Sequence, residues 1–235
     1  MVIGGLVFDI DDTLYRERDY VRSGFAHVAR IVARSGPEAT ELSRWLWQAF
    51  ETGIRGDTLD RMLMAFPEAA RQASALELIE AYRTHHPDIF LAPGVELMLD
   101  ELKDLGLRLG ILSDGPAESQ AAKVAALRLA RWFDPIILTG SLGPDFVKPG
   151  TTGFEAIARA WRLPARSLVY VADNPEKDFV GPRALGWMTV RFREPEQLRH
   201  GLEPGSEAHR ADVEIGAPLE LLELVRGWTR RGSAI

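Results

Sequence analysis

The stretch VFDIDDTLY, at Val7–Tyr15, decides how the chain can fold. Its apolar first residues are typical of a buried strand, and three carboxylates, Asp9, Asp11 and Asp12, follow directly. Crowded like charges repel each other and raise each other's pKa values. Carboxylates at the end of a hydrophobic strand therefore indicate a site that also holds positive charge.

The composition is that of a chain able to bury a large core. It has 235 residues, 46% hydrophobic and 26% charged, which suits one large domain or a core with a modest insertion. The formal net charge of -6 predicts no nucleic-acid partner. With no cysteine, disulfides, thiolate nucleophiles and cysteine metal sites are excluded. No apolar run reaches the roughly 20 residues of a membrane span. No signal-peptide pattern is visible either, so we expect a cytoplasmic protein without a membrane partner.

Short apolar runs alternate with amphipathic stretches along the chain, which is the pattern of strands separated by helices. Such alternation implies a parallel sheet with helices on both faces. Right-handed crossovers would bring all strand C-termini to one edge, where such folds bind ligands. The predicted strands lie in 2–8, 107–113, 135–139, 167–172, 187–192 and 211–215, and the later predicted helices are Gly94–Leu105, Pro116–Ala130, Thr152–Trp161, Pro175–Leu185 and Pro218–Trp228.

One segment breaks this rhythm. Residues 16–90 contain helical patterns and no predicted strand. A purely helical segment inside an α/β chain predicts an inserted subdomain, leaving after the first strand and returning before Pro93-Gly94, over the strand-end edge. We therefore predict an α/β core at 1–15 and 91–235 and a helical insertion at 16–90.

Four polar clusters follow predicted strands and should converge if the strands are parallel. They are Asp9 with Asp11, Ser113-Asp114-Gly115, Lys148-Pro149, and Asp173-Asn174 with Asp178. Three or four carboxylates near one point need a cation, and hard oxygen ligands suit Mg²⁺. Asp9 and Asp173 are the best candidate ligands.

Together these groups could carry out phosphoryl transfer. One aspartate could attack phosphorus. A second aspartate two residues on could protonate a leaving oxygen and later deprotonate water. Lys148 and Mg²⁺ would neutralise charge on the transferring phosphoryl group. The Ser113 hydroxyl and the backbone N–H groups of Asp114 and Gly115 would hold phosphate oxygens at a helix N-terminus.

The same clusters resemble the four motifs of the haloacid dehalogenase-like (HAD) phosphohydrolase superfamily. DIDDT at 9–13 is similar to the D-x-D-x-T motif, ILSDG at 111–115 to the second motif, VKP at 147–149 to the third, and VYVADNPEKD at 169–178 to the fourth. The helical insertion between the first two motifs resembles the C1-type cap of that superfamily. The resemblance covers nearly the whole chain and implies a Rossmann-like, three-layer core and a phosphoaspartyl intermediate.

The resemblance also implies a role for each matching residue. Asp9 would be the nucleophile and a metal ligand. Asp11 would be the general acid and base, with its backbone carbonyl on the Mg²⁺. The other implied roles are loop support at the substrate for Thr13, phosphate binding for Ser113 and Lys148, and metal binding for Asp173, with Asp178 as a further candidate for the metal site.

Two positions depart from the family pattern. Ala172 precedes Asp173 where glycine is frequent, which would tighten that turn. Asp114 stands where asparagine is common, and we expect its backbone rather than its carboxylate to face phosphate. Asn174 is predicted to cap a helix that opens at Pro175, with its side chain reaching the site.

Other polar residues near the site carry simpler expectations. Asp12 should be exposed or cap the next helix, because an extended chain points it away from the site. Arg16 and Arg18 lie nearest the catalytic loop and could bind an anionic substrate. The pair His85-His86 ends a predicted helix and should be solvated.

Two tryptophans in the insertion also carry an expectation. Trp45 and Trp47 are two residues apart and cannot share a helix face. One of them is therefore predicted to be core, and the other to be exposed or to line a cleft.

We expect from these features a Mg²⁺-dependent phosphomonoesterase, monomer or homodimer, acting on a sugar phosphate, a nucleotide or a similar small metabolite. Two alternatives use the same fold. A 2-haloacid dehalogenase needs an aspartate nucleophile but neither Mg²⁺ nor Asp11, and a phosphomutase would move phosphate within a sugar phosphate. A third alternative, a binding module with a relict site, is disfavoured by the complete set of Asp9, Asp11, Lys148 and Asp173. The substrate itself is not readable from the sequence.

Overall fold

A six-stranded parallel sheet organises the chain. The computed structural model describes residues 2–232, and its strand order is β3-β2-β1-β4-β5-β6. The strands are β1 (Gly5–Phe8), β2 (Arg108–Ser113), β3 (Ile136–Leu138), β4 (Leu168–Ala172), β5 (Met188–Phe192) and β6 (Val213–Ile215). Each lies inside a run predicted to be a strand, and the predicted α/β class with a parallel sheet is confirmed.

The register of the central strands sets where the polar clusters lie. Phe8 of β1 is level with Ile111 of β2 and with Val171 of β4. Strands β1 and β4 are buried along their whole length, as expected for a sheet covered on both faces. Because all three strands run the same way, Asp9, Ser113 and Asp173 emerge at one edge.

The helices separate into two groups along the chain. They are α1 (Glu17–Val32), α2 (Gly36–Glu51), α3 (Thr58–Ala65), α4 (Pro67–Ala70), α5 (Ala75–Thr84), α6 (Val95–Asp104), α7 (Ala117–Ala126), α8 (Thr152–Trp161), α9 (Val180–Ala184) and α10 (Pro218–Gly232). In the described part of the chain, no helix combines the length and the apolar character needed to cross a membrane.

The helix predicted over Pro175–Leu185 is much shorter than expected. Only α9 is helical there, and the residues before it form turns. The Asn174 side chain accepts a hydrogen bond from the Glu176 N–H at 2.9 Å, and the Asn174 N–H donates to the Asp178 carboxylate at 3.0 Å. These side-chain bonds to backbone compete with helix formation. The prediction that Asn174 caps a helix at Pro175 is therefore wrong.

The chain divides into two compact units. One consists of the chain up to Glu17 together with the chain from Phe90 onward, and the other is Arg18–Ile89. We call them the α/β unit and the helical unit. Met1 and residues 233–235 of the predicted core lie outside the described residues. The cap role of the helical unit stays a prediction.

Aromatic packing in the α/β unit reaches from the core toward the strand ends. Phe154 of α8 packs edge-on against Tyr170 of β4, with ring centroids 4.9 Å apart, and against Trp187 at 5.5 Å. All three side chains are buried. Packing therefore fixes the Tyr170 ring, whose hydroxyl lies at the site described below.

Two expectations for the helical unit need correction. Trp45 and Trp47 are both half-buried, so neither is a core residue. The Trp47 ring stacks on Phe50 at 5.3 Å, and the Arg22 guanidinium lies over it at 4.2 Å. Arginine covering one ring face explains why a tryptophan outside the core is still half shielded from water.

His85 is buried rather than solvated. Its Nδ1 lies 2.7 Å from the Tyr82 carbonyl oxygen and its Nε2 lies 3.1 Å from the Ser23 hydroxyl. Burial lowers the pKa of His85, so the neutral ring is favoured. His86, next to it, is exposed as expected.

Candidate active site

Asp9 lies at the centre of the polar edge. It is buried directly after β1, and its Oδ1 accepts a hydrogen bond from the Ser113 hydroxyl at 2.7 Å. The same oxygen lies 3.2 Å from Lys148 Nζ. A serine hydroxyl and an ammonium group thus converge on one buried carboxylate, and two of the predicted phosphate-binding residues meet the predicted nucleophile.

Lys148 is held by three partners. Its Nζ lies 2.7 Å from Asp178 Oδ1 and donates to the Tyr170 hydroxyl at 2.8 Å, besides its contact with Asp9. Burial alone would lower the pKa of this lysine. The nearby Asp178 and Asp9 carboxylates outweigh burial and hold its pKa well above the usual value. Lys148 is therefore a buried, permanently positive group.

Three carboxylates form a candidate metal site. One oxygen each from Asp9, Asp173 and Asp178 lies within 4.8 Å of the others, and all three side chains are buried. Among the described residues, Asp173 Oδ2 has no hydrogen-bond partner. Burial and the neighbouring Asp178 and Asp9 raise the pKa of Asp173 well above its usual value. A hard divalent cation such as Mg²⁺ fits this oxygen set and would coordinate the oxygen that lacks a hydrogen-bond partner.

The Asp11 carboxylate belongs to a different group of side chains. Lys123 Nζ lies 2.7 Å from its Oδ1 and 2.9 Å from its Oδ2, and Gln120 Nε2 donates to Oδ2 at 2.9 Å. The Tyr15 hydroxyl also donates to Oδ1. Burial alone would raise the pKa of Asp11. Attraction to Lys123 and these hydrogen bonds outweigh burial and bring the pKa below its usual value, so the carboxylate form is favoured.

Asp12 is buried, which contradicts its expected exposure. Its Oδ1 accepts from the Glu17 N–H at 2.8 Å, at the start of α1, in line with the capping alternative. Its Oδ2 accepts from the Leu198 N–H at 2.7 Å. Burial and the nearby Glu17 carboxylate raise the pKa of Asp12 to about 7. Thr13 is also buried, and its hydroxyl has no hydrogen-bond partner among the described residues.

The loop after β2 contains a glycine with a positive φ angle and an aspartate whose carboxylate is bonded to neighbouring loops. Gly115 has φ of +134°, and a Cβ there would lie 2.8 Å from Gln120 Nε2, so a side chain would be strained and crowded. The Asp114 carboxylate accepts from the Thr139 hydroxyl at 2.9 Å and lies 3.3 Å from Lys177 Nζ. Asp114 thus ties neighbouring loops together through its side chain.

The arginines proposed for substrate binding both carry acidic partners. Arg16 lies 3.5 Å from Glu194 and is also paired with Glu196. Arg18 is paired with Glu51 within the helical unit. An incoming anion would have to compete with these carboxylates, and the assignment of Arg16 to substrate stays a prediction.

Several residues at the site were not predicted from the sequence. Arg199 is one of them: its Nη1 lies 2.7 Å from Glu17 Oε2 and 3.9 Å from Asp173 Oδ2. The others are Tyr15, Gln120, Lys123 and Tyr170. Gln120 and Lys123 are three residues apart on a predicted helix, so the sequence indicates that they share a face. It does not indicate that this face meets Asp11.

Comparison with known proteins places this site in context. The model of the haloacid dehalogenase-like hydrolase family matches residues 3–186. A glyceraldehyde 3-phosphate phosphatase from Methanopyrus kandleri is 27% identical over 96% of this chain and 98% of its own length. A phosphoserine phosphatase from Thermus thermophilus is 29% identical over 90% of this chain and 94% of its own.

Solved structures agree on the fold. The HAD-hydrolase YfnB from Bacillus subtilis superposes with a TM-score of 0.65 at 20% identity, covering 96% of this chain and 99% of its own. At that identity the likeness concerns the fold alone. It supports the Rossmann-like arrangement of the sheet described above.

Proposed function

The chain belongs to the haloacid dehalogenase-like hydrolases, and on that premise we propose that it is a Mg²⁺-dependent phosphatase of small phosphorylated metabolites. The observation that carries the proposal is the environment of Asp9. Its carboxylate is contacted by Ser113 and Lys148 and lies beside two further carboxylates. Cationic and hydroxyl groups around a buried nucleophile suit an incoming phosphate group.

Asp9, Asp173 and Asp178 are the residues that would hold Mg²⁺. When bound, the cation supplies positive charge that offsets the charge of the transferring phosphoryl group. The shared edge of β1 and β4 brings Asp9 and Asp173 together, and the turn before α9 brings Asp178 to them. The resemblance gives Asp11 a ligand role through its backbone carbonyl, which stays a prediction.

The chain's own residues account for the two chemical steps. The Asp9 carboxylate attacks phosphorus, the ester P–O bond breaks, and the leaving oxygen takes a proton from Asp11. Water then loses a proton to Asp11 and attacks phosphorus, and the bond from phosphorus to Asp9 breaks, releasing phosphate. Lys148 and Ser113 bind the phosphoryl oxygens throughout. The carboxylate form of Asp11 favoured here is the form that accepts the proton from water. The first step uses the protonated form, which the attack of water regenerates in each turnover.

The substrate class follows from the relatives and from the nature of the site. Full-length relatives are named for glyceraldehyde 3-phosphate and for phosphoserine, both small phosphate monoesters. We propose a phosphorylated metabolite of that size, a sugar phosphate or a nucleotide included.

Phosphate release from a panel of such monoesters tests the proposal. The panel is run with Mg²⁺ and with EDTA, on the wild type, on Asp9→Asn and on Asp104→Asn, an exposed aspartate of α6. We expect release by the wild type and by Asp104→Asn, loss with EDTA, and a drop of roughly 1,000-fold or more for Asp9→Asn, because the nucleophile is removed.

Other outcomes would redirect the assignment. Halide release from a 2-haloacid that survives EDTA would indicate a dehalogenase. Interconversion of sugar-phosphate isomers without free phosphate would indicate a phosphomutase. Activity on no compound by a folded wild type would contradict the phosphatase proposal.

A further inference from the structure

Lys123 of α7 is a buried lysine that the mechanism above does not use. Its side chain is 6% exposed, and its ammonium group contacts both oxygens of Asp11 at 2.7 and 2.9 Å. Burying an ammonium group costs free energy unless the group is paired and hydrogen-bonded. The position of Lys123 in the core side of α7 is therefore tied to the Asp11 carboxylate.

Gln120 also binds the Asp11 carboxylate. Its Nε2 donates to Asp11 Oδ2 at 2.9 Å and to the Asp114 carbonyl at 3.0 Å. Gln120 and Lys123 are one turn apart on α7, so both donors approach Asp11 from one helix face. With the Tyr15 hydroxyl on Oδ1, Asp11 has donors from three side chains.

Asp11 and Asp9 have different direct partners, and Gln120 links the two groups, since its Oε1 accepts from the Ser113 hydroxyl at 3.5 Å. Asp9 is contacted by Ser113 and Lys148, whereas Asp11 is contacted by Lys123, Gln120 and Tyr15. A carboxylate that transfers protons must be held within hydrogen-bond reach of the reacting oxygen. An aspartate side chain can rotate out of reach unless neighbouring groups hold it. Gln120 and Lys123 of α7 are such groups.

We propose that Lys123, assisted by Gln120, is a positioning residue that fixes the Asp11 carboxylate for proton transfer. The inference rests on the proposed phosphatase function and adds α7 to the machinery of that site. Lys123 contacts Asp11, whereas Ser113 and Lys148, the residues assigned to phosphate, contact Asp9. Loss of Lys123 should therefore affect proton transfer to the leaving oxygen more than phosphate binding.

The basicity of the leaving group can reveal whether Asp11 is misplaced. When the ester P–O bond breaks, the electron pair goes to the leaving oxygen, and an alkoxide needs a proton from Asp11. A p-nitrophenolate ion leaves without one, because it is a far weaker base. A variant that misplaces Asp11 should thus lose more activity on an alkyl phosphate than on p-nitrophenyl phosphate.

The test compares kcat/KM for glyceraldehyde 3-phosphate and p-nitrophenyl phosphate, because kcat/KM reports the step that releases the leaving group, whereas the later attack of water is common to both substrates. For Lys123→Met we expect kcat/KM on the alkyl phosphate to fall by about 100-fold, since small misplacements of a catalytic group have effects of that size. The fall on the aryl phosphate should be at least several-fold smaller. Lys123→Arg, which keeps the charge, should recover part of the loss.

A double-mutant cycle of Lys123→Met and Asp11→Asn measures the coupling between these two residues. If Lys123 acts through Asp11, adding Lys123→Met to Asp11→Asn should lower kcat/KM on the alkyl phosphate no further. Gln120→Met removes one donor without leaving a charge unpaired, so it carries the same test with a smaller effect if Lys123→Met does not fold. Lys103→Met, at an exposed lysine of α6, is the matched control and should resemble the wild type.

Each result decides the inference. Equal losses of kcat/KM on both substrates, additive losses in the cycle, or wild-type kcat/KM on the alkyl phosphate in folded Lys123→Met would overturn it and leave the phosphatase proposal standing. A wild type that releases phosphate from neither substrate nor from the wider panel would overturn the phosphatase proposal and this inference with it.

Discussion

At the scale of single residues, the site depends on buried charges that balance one another. Lys148 is buried between Asp9, Asp178 and the Tyr170 hydroxyl. The pKa of Asp178 is raised by burial and by Asp9, although Lys148 lowers it. Removing the lysine would take away the ammonium group that contacts both buried carboxylates.

Lys148→Met should therefore destabilise the fold as well as abolish activity. Breaking a buried ion pair by removing one partner costs about 3–5 kcal/mol in the free energy of unfolding. Chemical denaturation of the wild type and the variant, both in EDTA, measures the difference. Lys103→Met serves as control, and an unchanged midpoint for Lys148→Met would contradict the prediction.

Arg199 bears on the affinity of the metal site. Its Nη1 lies 3.9 Å from Asp173 Oδ2, where a guanidinium repels a cation bound to the same carboxylate. Arg199→Gln should bind Mg²⁺ about threefold to tenfold more tightly, an effect of about 1 kcal/mol, which is the size of a unit-charge interaction over roughly 4 Å in a water-like dielectric. Calorimetric titration with Mg²⁺ alone measures this change.

The matched control for Arg199 is an arginine outside the site. Arg210 is exposed and lies near Glu207 rather than near Asp173. Arg210→Gln should bind Mg²⁺ as the wild type does. Weaker binding by Arg199→Gln than by Arg210→Gln would show that Arg199 organises the site instead of opposing the cation.

At the scale of elements, helix α1 shows how packing overrides local preference. Gly24 lies in the middle of α1, where glycine is less favourable than alanine by about 1 kcal/mol. A Cβ at Gly24 would lie 2.3 Å from Tyr82 Cε2 of α5. The absence of a side chain at this position therefore lets the Tyr82 ring pack against the α1 backbone.

Gly24→Ala should destabilise the helical unit despite the gain in helix propensity. Forcing an overlap of that size in a packed interior costs about 1–3 kcal/mol, which exceeds the propensity gain. Gly227→Ala in α10 has no atom within 4 Å of the added Cβ and should stabilise by up to about 1 kcal/mol. Thermal unfolding of both variants and of the wild type shows whether each substitution lowers or raises the free energy of unfolding. A stabilised Gly24→Ala would contradict the packing argument.

At the scale of the whole molecule, the α/β unit is assembled from two distant segments. The sheet is complete within it, since β1 pairs with β2 and β4 from the later segment. The Ala92 N–H donates to the Leu14 carbonyl at 2.9 Å, so the two segments meet close to where the helical unit departs. A short linker can therefore span the gap that removal of the helical unit would leave.

Replacing residues 18–89 with a short glycine-serine linker should leave a folded α/β unit. We expect one cooperative unfolding transition and a rise in its midpoint on adding Mg²⁺, because a ligand that binds the folded form stabilises it. Asp173→Asn in the shortened chain should abolish that rise. A non-cooperative transition, or no effect of Mg²⁺ when the full chain shows one, would contradict the prediction.

The strands and the polar residues that follow them are readable from the sequence alone. Apolar runs of strand length marked β1 to β6, and Asp9, Ser113 and Asp173 follow strands that pair in parallel. These features are local, because periodicity and turn residues report the conformation of neighbouring residues in the chain. The four motifs occur in the order of the haloacid dehalogenase-like family, and this order indicates phosphoryl transfer.

The tertiary structure alone decided which side chains meet across the chain. Lys123 pairs with Asp11 more than one hundred positions away, and the buried Asp12 accepts a hydrogen bond from the distant Leu198 N–H. The sequence places Lys123 on a helix face but not that face against Asp11, since helix packing depends on the shape of the whole core. Buried charge pairs are likewise set by long-range packing, so their partners and pKa shifts become visible only in the folded molecule.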